Sequence, residues 1–144
     1  MRGLHTDTLN KRGVGPVAVG TTGTGVTGKV QDRRGYRRAE WYISYGAVTI
    51  TTAVFTVTVK EGDVTGTMTS IADADLDGTE LLAGLAAAAT RTSDVSKLVT
   101  KRLGYKGSKR YLQINIKSTS TAGTPVGAVL VLSEPESGPT TPAQ

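Results

Sequence analysis

Two alternating runs that meet at a glycine-punctuated junction constrain this chain more than any other stretch of it. Residues 97–118 read KLVTKRLGYKGSKRYLQINIKS. In the first run Val99, Lys101, Leu103 and Tyr105 share one face; in the second, Leu112, Ile114 and Ile116 lie opposite Tyr111, Gln113 and Asn115. Alternation with β-branched and aromatic residues marks a strand with one buried side. Gly104 and Gly107 are expected to supply positive φ at the reversal between the runs, followed by Ser108, a common turn residue. The stretch therefore predicts a β-hairpin, or two strands joined by a tight corner.

The same pattern recurs upstream. Trp41, Ile43 and Tyr45 point one way, with Glu40, Tyr42 and Ser44 opposite. Phe55, Val57 and Val59 alternate with Thr56, Thr58 and Lys60. Burying each large apolar side chain is worth about 1.5–3 kcal/mol, so these two strands, with Leu112, Ile114 and Ile116, are the expected core. Shorter strands are expected at 15–20, 29–32 and 64–71, with an acidic loop at 72–78 between the last of these and the next segment. Residues 80–89 carry the only helix-like segment, shortened or abolished by Gly84. Residues 125–132, PVGAVLVL, are apolar on both faces, as an interior strand covered on two sides would be. About seven or eight short strands without a βαβ rhythm predict an all-β fold, an antiparallel β-sandwich or jelly roll. The expected organisation is an N-terminal arm at 1–13, a sandwich domain at 14–132 and a Pro-rich C-terminal tail at 133–144.

A chain of 144 residues is one domain by the usual size range and long enough to hold a core without staples. It has no cysteine, which removes disulfides, thiolate zinc sites and Cys nucleophiles. No apolar run reaches the ~20 residues of a membrane helix, and Met1 opens no signal-peptide pattern. The net charge of +5 is unevenly placed: residues 1–38 hold eight basic residues against Asp7 and Asp32, and the remainder nine basic against ten acidic. Lys11, Arg12, Arg33, Arg34, Arg37 and Arg38 are the candidate contacts to an anionic partner. The plainer reading of these arginines is a solvated strand edge guarded by charge.

Motifs with chemical potential are weak in context. Residues 23–28, GTGVTG, match GxGxxG, but no helical period follows to carry a pyrophosphate, so no cofactor is expected. Asp73, Asp75, Asp77 and Gly78 open like a calcium loop, yet the position for the bidentate Glu is Gly84; no metal site is expected. The single histidine, His5, lies in the arm, away from any scaffold for a nucleophile–base pair, so an enzyme is not expected. Tyr36, Trp41, Tyr42 and Tyr45 stand near four arginines, but the alternation of Trp41 and Tyr45 assigns those two to the core rather than to base stacking. Direct nucleic-acid binding and membrane association are both unexpected.

Five segments in order resemble a family of jelly-roll capsid decoration, or cement, proteins encoded beside the major capsid protein in tailed bacteriophages. They are 32–36 (DRRGY), 55–63 (FTVTVKEGD), 72–80 (ADADLDGTE), 104–111 (GYKGSKRY) and 128–132 (AVLVL) before a Pro-rich end. The segment 82–92 is longer and richer in Ala than the resemblance would suggest, and the Pro-rich end continues to Gln144. The resemblance implies a structural virion protein on the capsid exterior. It would bridge capsomers, with the major capsid protein and itself as partners, a homodimer favoured over a trimer. Rival readings are a head–tail joining or tail structural protein, and a carbohydrate-binding β-sandwich using Tyr42 or Tyr105.

Overall fold

The computed structural model describes residues 4–19, 25–47, 52–85, 99–119 and 124–136. Within them the strands are β1 (Thr8–Val19), β2 (Val26–Thr27), β3 (Gln31–Asp32), β4 (Tyr36–Tyr45) and β5 (Phe55–Val64). They continue with β6 (Thr67–Ser70), β7 (Leu76–Asp77), β8 (Val99–Tyr105), β9 (Tyr111–Ser118) and β10 (Thr124–Pro135). Single helical turns, α1 (Leu4–Asp7) and α2 (Glu80–Ala83), and a 3-10 turn at Asp73–Asp75 complete the described elements.

Pairing is antiparallel throughout, and it is nested. β1 pairs with β10, β2 and β3 with β9, β4 with β8, and β5 with β6. Folding these nested pairs over one another gives two sheets, ordered β1-β10-β4-β8-β7 and β2-β9-β5-β6, with β3 also on β9. This is a jelly-roll β-sandwich, as the strand spacing predicts. Between the layers lie Trp41, Ile43, Leu103, Leu130 and Leu132 from the first sheet, and Phe55, Val57, Val59, Leu112, Ile114 and Ile116 from the second. Trp41, Ile43, Phe55, Val57, Val59, Leu112, Ile114 and Ile116, all expected in the core, are among them, and Tyr45 is buried with them. Tyr45 and Phe55 meet edge-on across the layers, ring centroids 5.5 Å apart, and the Tyr45 hydroxyl donates to the Ala83 carbonyl at 2.8 Å.

Several sequence expectations are corrected. Of the two forms predicted for 97–118, the corner is the one observed: β8 and β9 belong to different sheets. Gly104 and Gly107 do not have positive φ; among the described glycines Gly25, Gly35 and Gly78 do. Glycine is needed at Gly107 for space instead, because a Cβ there would come within 2.4 Å of the Tyr105 hydroxyl. The arm does not extend to residue 13, since β1 begins at Thr8 and pairs Leu9 with Leu132 and Arg12 with Val129. An edge strand is held by pairing on one side and needs no strict alternation, so the local pattern hides it. At the other end β10 runs to Pro135, three residues into the expected tail.

The helix at 80–89 reduces to α2, whose described part closes at Gly84. Thr79 caps it by accepting from the Leu82 amide at 3.1 Å, and Glu80 reaches back to accept from the Val59 amide at 2.6 Å. The acidic loop is ordered by Leu76, buried where β7 pairs with β8. Finally, β10 is interior by its two hydrogen-bonded neighbours, not by cover on both faces: Val126, Ala128, Leu130 and Leu132 are buried, while Val129 is exposed. Residues 23 and 24 of the GxGxxG match, 86–89 of the expected helix and 137–144 of the expected tail lie outside the described residues, as does the side chain of His5.

Candidate partner interface

The basic residues singled out in the sequence divide into two groups, those consumed by the fold and those left facing outward. Arg33 belongs to the first. It follows β3, and its guanidinium donates to the carbonyls of Lys109 (2.6 Å) and Gly107 (2.9 Å) while lying 5.2 Å over the Tyr105 ring. Five N–H donors on a planar fork suit a guanidinium to gathering several carbonyls at once. Arg33 therefore ties the β8–β9 corner to the β3–β4 turn and is not available to a partner. Lys11 is spent in the same way, its Nζ donating to the Asp32 carbonyl at 2.6 Å.

Next to this clamp, Arg110 grips Asp32 with two hydrogen bonds, at 2.7 and 3.1 Å. That hydrogen-bonded pairing, opposed by burial and helped by the Arg34 amide, brings the Asp32 carboxyl down to about 2. Lys109 pairs with Asp63 at 2.6 Å, which also lowers the Asp63 carboxyl. Tyr105 completes the set. Its hydroxyl donates to Glu61 and accepts from the Lys109 amide at 2.9 Å. Burial first, then the bond to Glu61, pushes its phenol well above the ordinary tyrosine range. Tyr105 is buried, so of the two tyrosines in the carbohydrate reading only the half-buried Tyr42 lies on an outer face.

Among the described residues no hydrogen bond or ion pair engages the side chains of Arg12, Arg34 and Arg37. Arg38 pairs with Glu134 at 2.7 Å, both side chains largely solvated, so the pair is worth little and is easily exchanged for another. Arg37 and Arg38 form a ridge between two open clefts of about 550 and 620 Å³, which also share Ser133. Arg12 and Arg38 face outward on the sheet built by β1, β10, β4 and β8.

Sequence reasoning missed the residues between those arginines. Cross-strand register places Arg12, Val129, Tyr42 and Arg102 in one row across the outer face, and Asn10, Val131, Glu40 and Gly104 in the next. Arg102 contacts Glu40 at 3.8 Å, and the Tyr42 hydroxyl donates to Glu40 at 3.1 Å. The signal that could have found this face was present in PVGAVLVL, which is apolar on both sides.

The outer face of the opposite sheet is polar. A cleft of about 410 Å³ there is lined by Thr27, Thr58, Lys60, Gln113, Asn115 and Lys117. The acidic turn offers no converging donors either: Asp77 pairs with Lys106 at 3.1 Å, and no group of three or more metal-ligating side chains forms among the described residues.

No family model matches the sequence, and no curated protein matches it. Solved structures do resemble the fold. The VP2 subviral particle of infectious bursal disease virus aligns with a TM-score of 0.51 at 11% identity, over 92% of this chain and 33% of that one. The Gx strain structure of the same virus gives 0.48 at 8% identity, over 92% and 34%. A carbohydrate-binding and xylanase module pair of Clostridium thermocellum xylanase 10B gives 0.42 at 15% identity, over 98% and 28%. The chain spans about a third of the length of these structures. The likeness to VP2 is one of fold: this chain is a β-sandwich of the kind found in a viral capsid protein.

Proposed function

We propose that this chain is a structural virion protein that decorates the exterior of a tailed-phage capsid, bridging neighbouring capsomers and performing no reaction. The observation that carries the reading is the distribution of charge. The fold uses Arg33, Lys11 and Arg110 to lock its own corners, and it leaves Arg12, Arg34 and Arg37 exposed and unengaged among the described residues. The jelly-roll topology and its likeness to a viral capsid protein support the same reading. A capsid under internal pressure gains strength from a subunit that buries interface across two capsomers, and repetition over many copies multiplies a modest contact. Copies would assemble with closed symmetry, as a homodimer in the simplest case.

The test is to add the purified chain back to capsids lacking it and to measure occupancy and heat resistance. Saturable binding that raises the rupture temperature is expected, and binding should weaken as salt rises. Replacing Arg37 by Glu should slow association more than it speeds release, because a rim charge chiefly steers the encounter. Failure of the wild-type chain to bind at any salt concentration would end the reading. Deleting residues 1–13 is a poor test, since it removes half of β1 along with any arm.

A further inference from the structure

The strand β10 is apolar on both faces, and among the described residues only the inner face is covered. Its outer residues Val129, exposed, and Val131, half-buried, occupy the middle of the outer face among the described residues. Tyr42 stands beside Val129 on β4, and Pro16 lies over Gly127 at the end of the stripe. A cross-strand row from Arg12 to Arg102 spans about 14 Å at ~4.8 Å per strand, and the stripe from Gly127 to Ser133 runs about 20 Å along the strand. The resulting face, its arginine ends included, is on the order of 280 Å², enough to be the centre of a specific interface that buries ~800 Å² per partner.

We propose that this face, centred on Val129, Val131 and Tyr42, is the docking surface for a protein partner whose matching patch has an apolar centre and an acidic rim. The proposal rests on the capsid reading and identifies the capsid subunit as that partner. Charge selects the occupant. The outward rim carries Arg12, Arg38 and Arg102 against Glu40 and Glu134, whose solvated pairs with Arg102 and Arg38 are easily exchanged and leave a net positive charge. Asp7, which shares the cleft of Arg38, keeps a carboxylate oxygen buried. A second copy laid face to face would set one excess of arginine against another, three arginines to two outward acids on each side among the described residues. An acidic surface on a different protein satisfies all three arginines and covers the valines, and the central apolar contacts would carry most of the affinity.

The experiment compares capsid binding by the full-length wild-type chain with Val129→Glu, Arg102→Glu and the milder Val129→Thr. Lys117→Glu on the opposite sheet is the control. Circular dichroism and thermal melting establish that each variant is folded, and sedimentation gives its oligomeric state. Val129→Glu and Arg102→Glu should each weaken binding by about tenfold or more, and Val129→Thr by a smaller factor, with Lys117→Glu indistinguishable from wild type. Wild-type affinity in Val129→Glu would overturn this surface while leaving the capsid reading standing, as would loss of binding in Lys117→Glu alone. An oligomer of the wild-type chain that Val129→Glu dissolves would show a second copy on this face and overturn the choice of occupant. If the wild-type chain does not bind capsids at all, the capsid reading fails first and this inference falls with it.

Discussion

The hydroxyl of Tyr105, on β8 of one sheet, donates a hydrogen bond to the carboxylate of Glu61, on β5 of the other. One side chain thereby joins the two layers at the end where the chain turns the β8–β9 corner. The same oxygen accepts from the Lys109 amide, and the ring carries Arg33 on its face. Tyr105→Phe keeps the packing and removes both hydrogen bonds. It leaves a partly buried carboxylate short of a donor, so a loss of about 1–3 kcal/mol is expected in urea or thermal unfolding. Unchanged stability would mean the layers are held by apolar packing alone.

The pairing of Asp32 with Arg110 sets an acid limit. The Asp32 carboxyl sits near 2 in the fold, against about 3.9 unfolded. A depressed folded value contributes stability above the unfolded value, and that stability is lost as pH falls from about 4 towards 2. Because the pair is partly solvated, its share is about 1 kcal/mol rather than the ~2.6 kcal/mol of an unscreened shift of this size. Asp32→Asn should flatten the acid limb of the stability curve in that window. Parallel curves for wild type and variant would remove this pair from the account.

Close approach fixes another position. A Cβ on Gly13 would stand 2.4 Å from the Trp41 ring, and Trp41 is fully enclosed in the core. Gly13→Ala must shift the largest core side chain or the β1 bulge, at a cost of about 1–3 kcal/mol. The readout is a lower melting temperature with a shifted tryptophan emission. A variant as stable as wild type would show that the bulge between Arg12 and Val14 is soft.

Period-two alternation made the core legible, because Trp41, Ile43, Phe55, Val57, Val59, Leu112, Ile114 and Ile116 report their face through their immediate neighbours in sequence. What was hidden depends on distant partners. Residues 8–13 become strand only because β10 lies beside them. Gly107 is required by a ring two residues away, not by its own dihedral. Arg33 reads as surface charge until the corner 74 residues later folds onto its guanidinium. The outer face of β10 was visible as excess apolarity but was misassigned, since apolarity alone does not say whether a face is covered.

An electron-microscopy reconstruction of the native particle tests the central claim most directly. The account predicts a jelly-roll density on the outer capsid surface at many symmetry-related positions, bridging capsomers, with Val129 and Arg102 turned toward the shell. A particle whose shell carries no such density, or in which the chain is confined to the tail or its junction with the head, would contradict it.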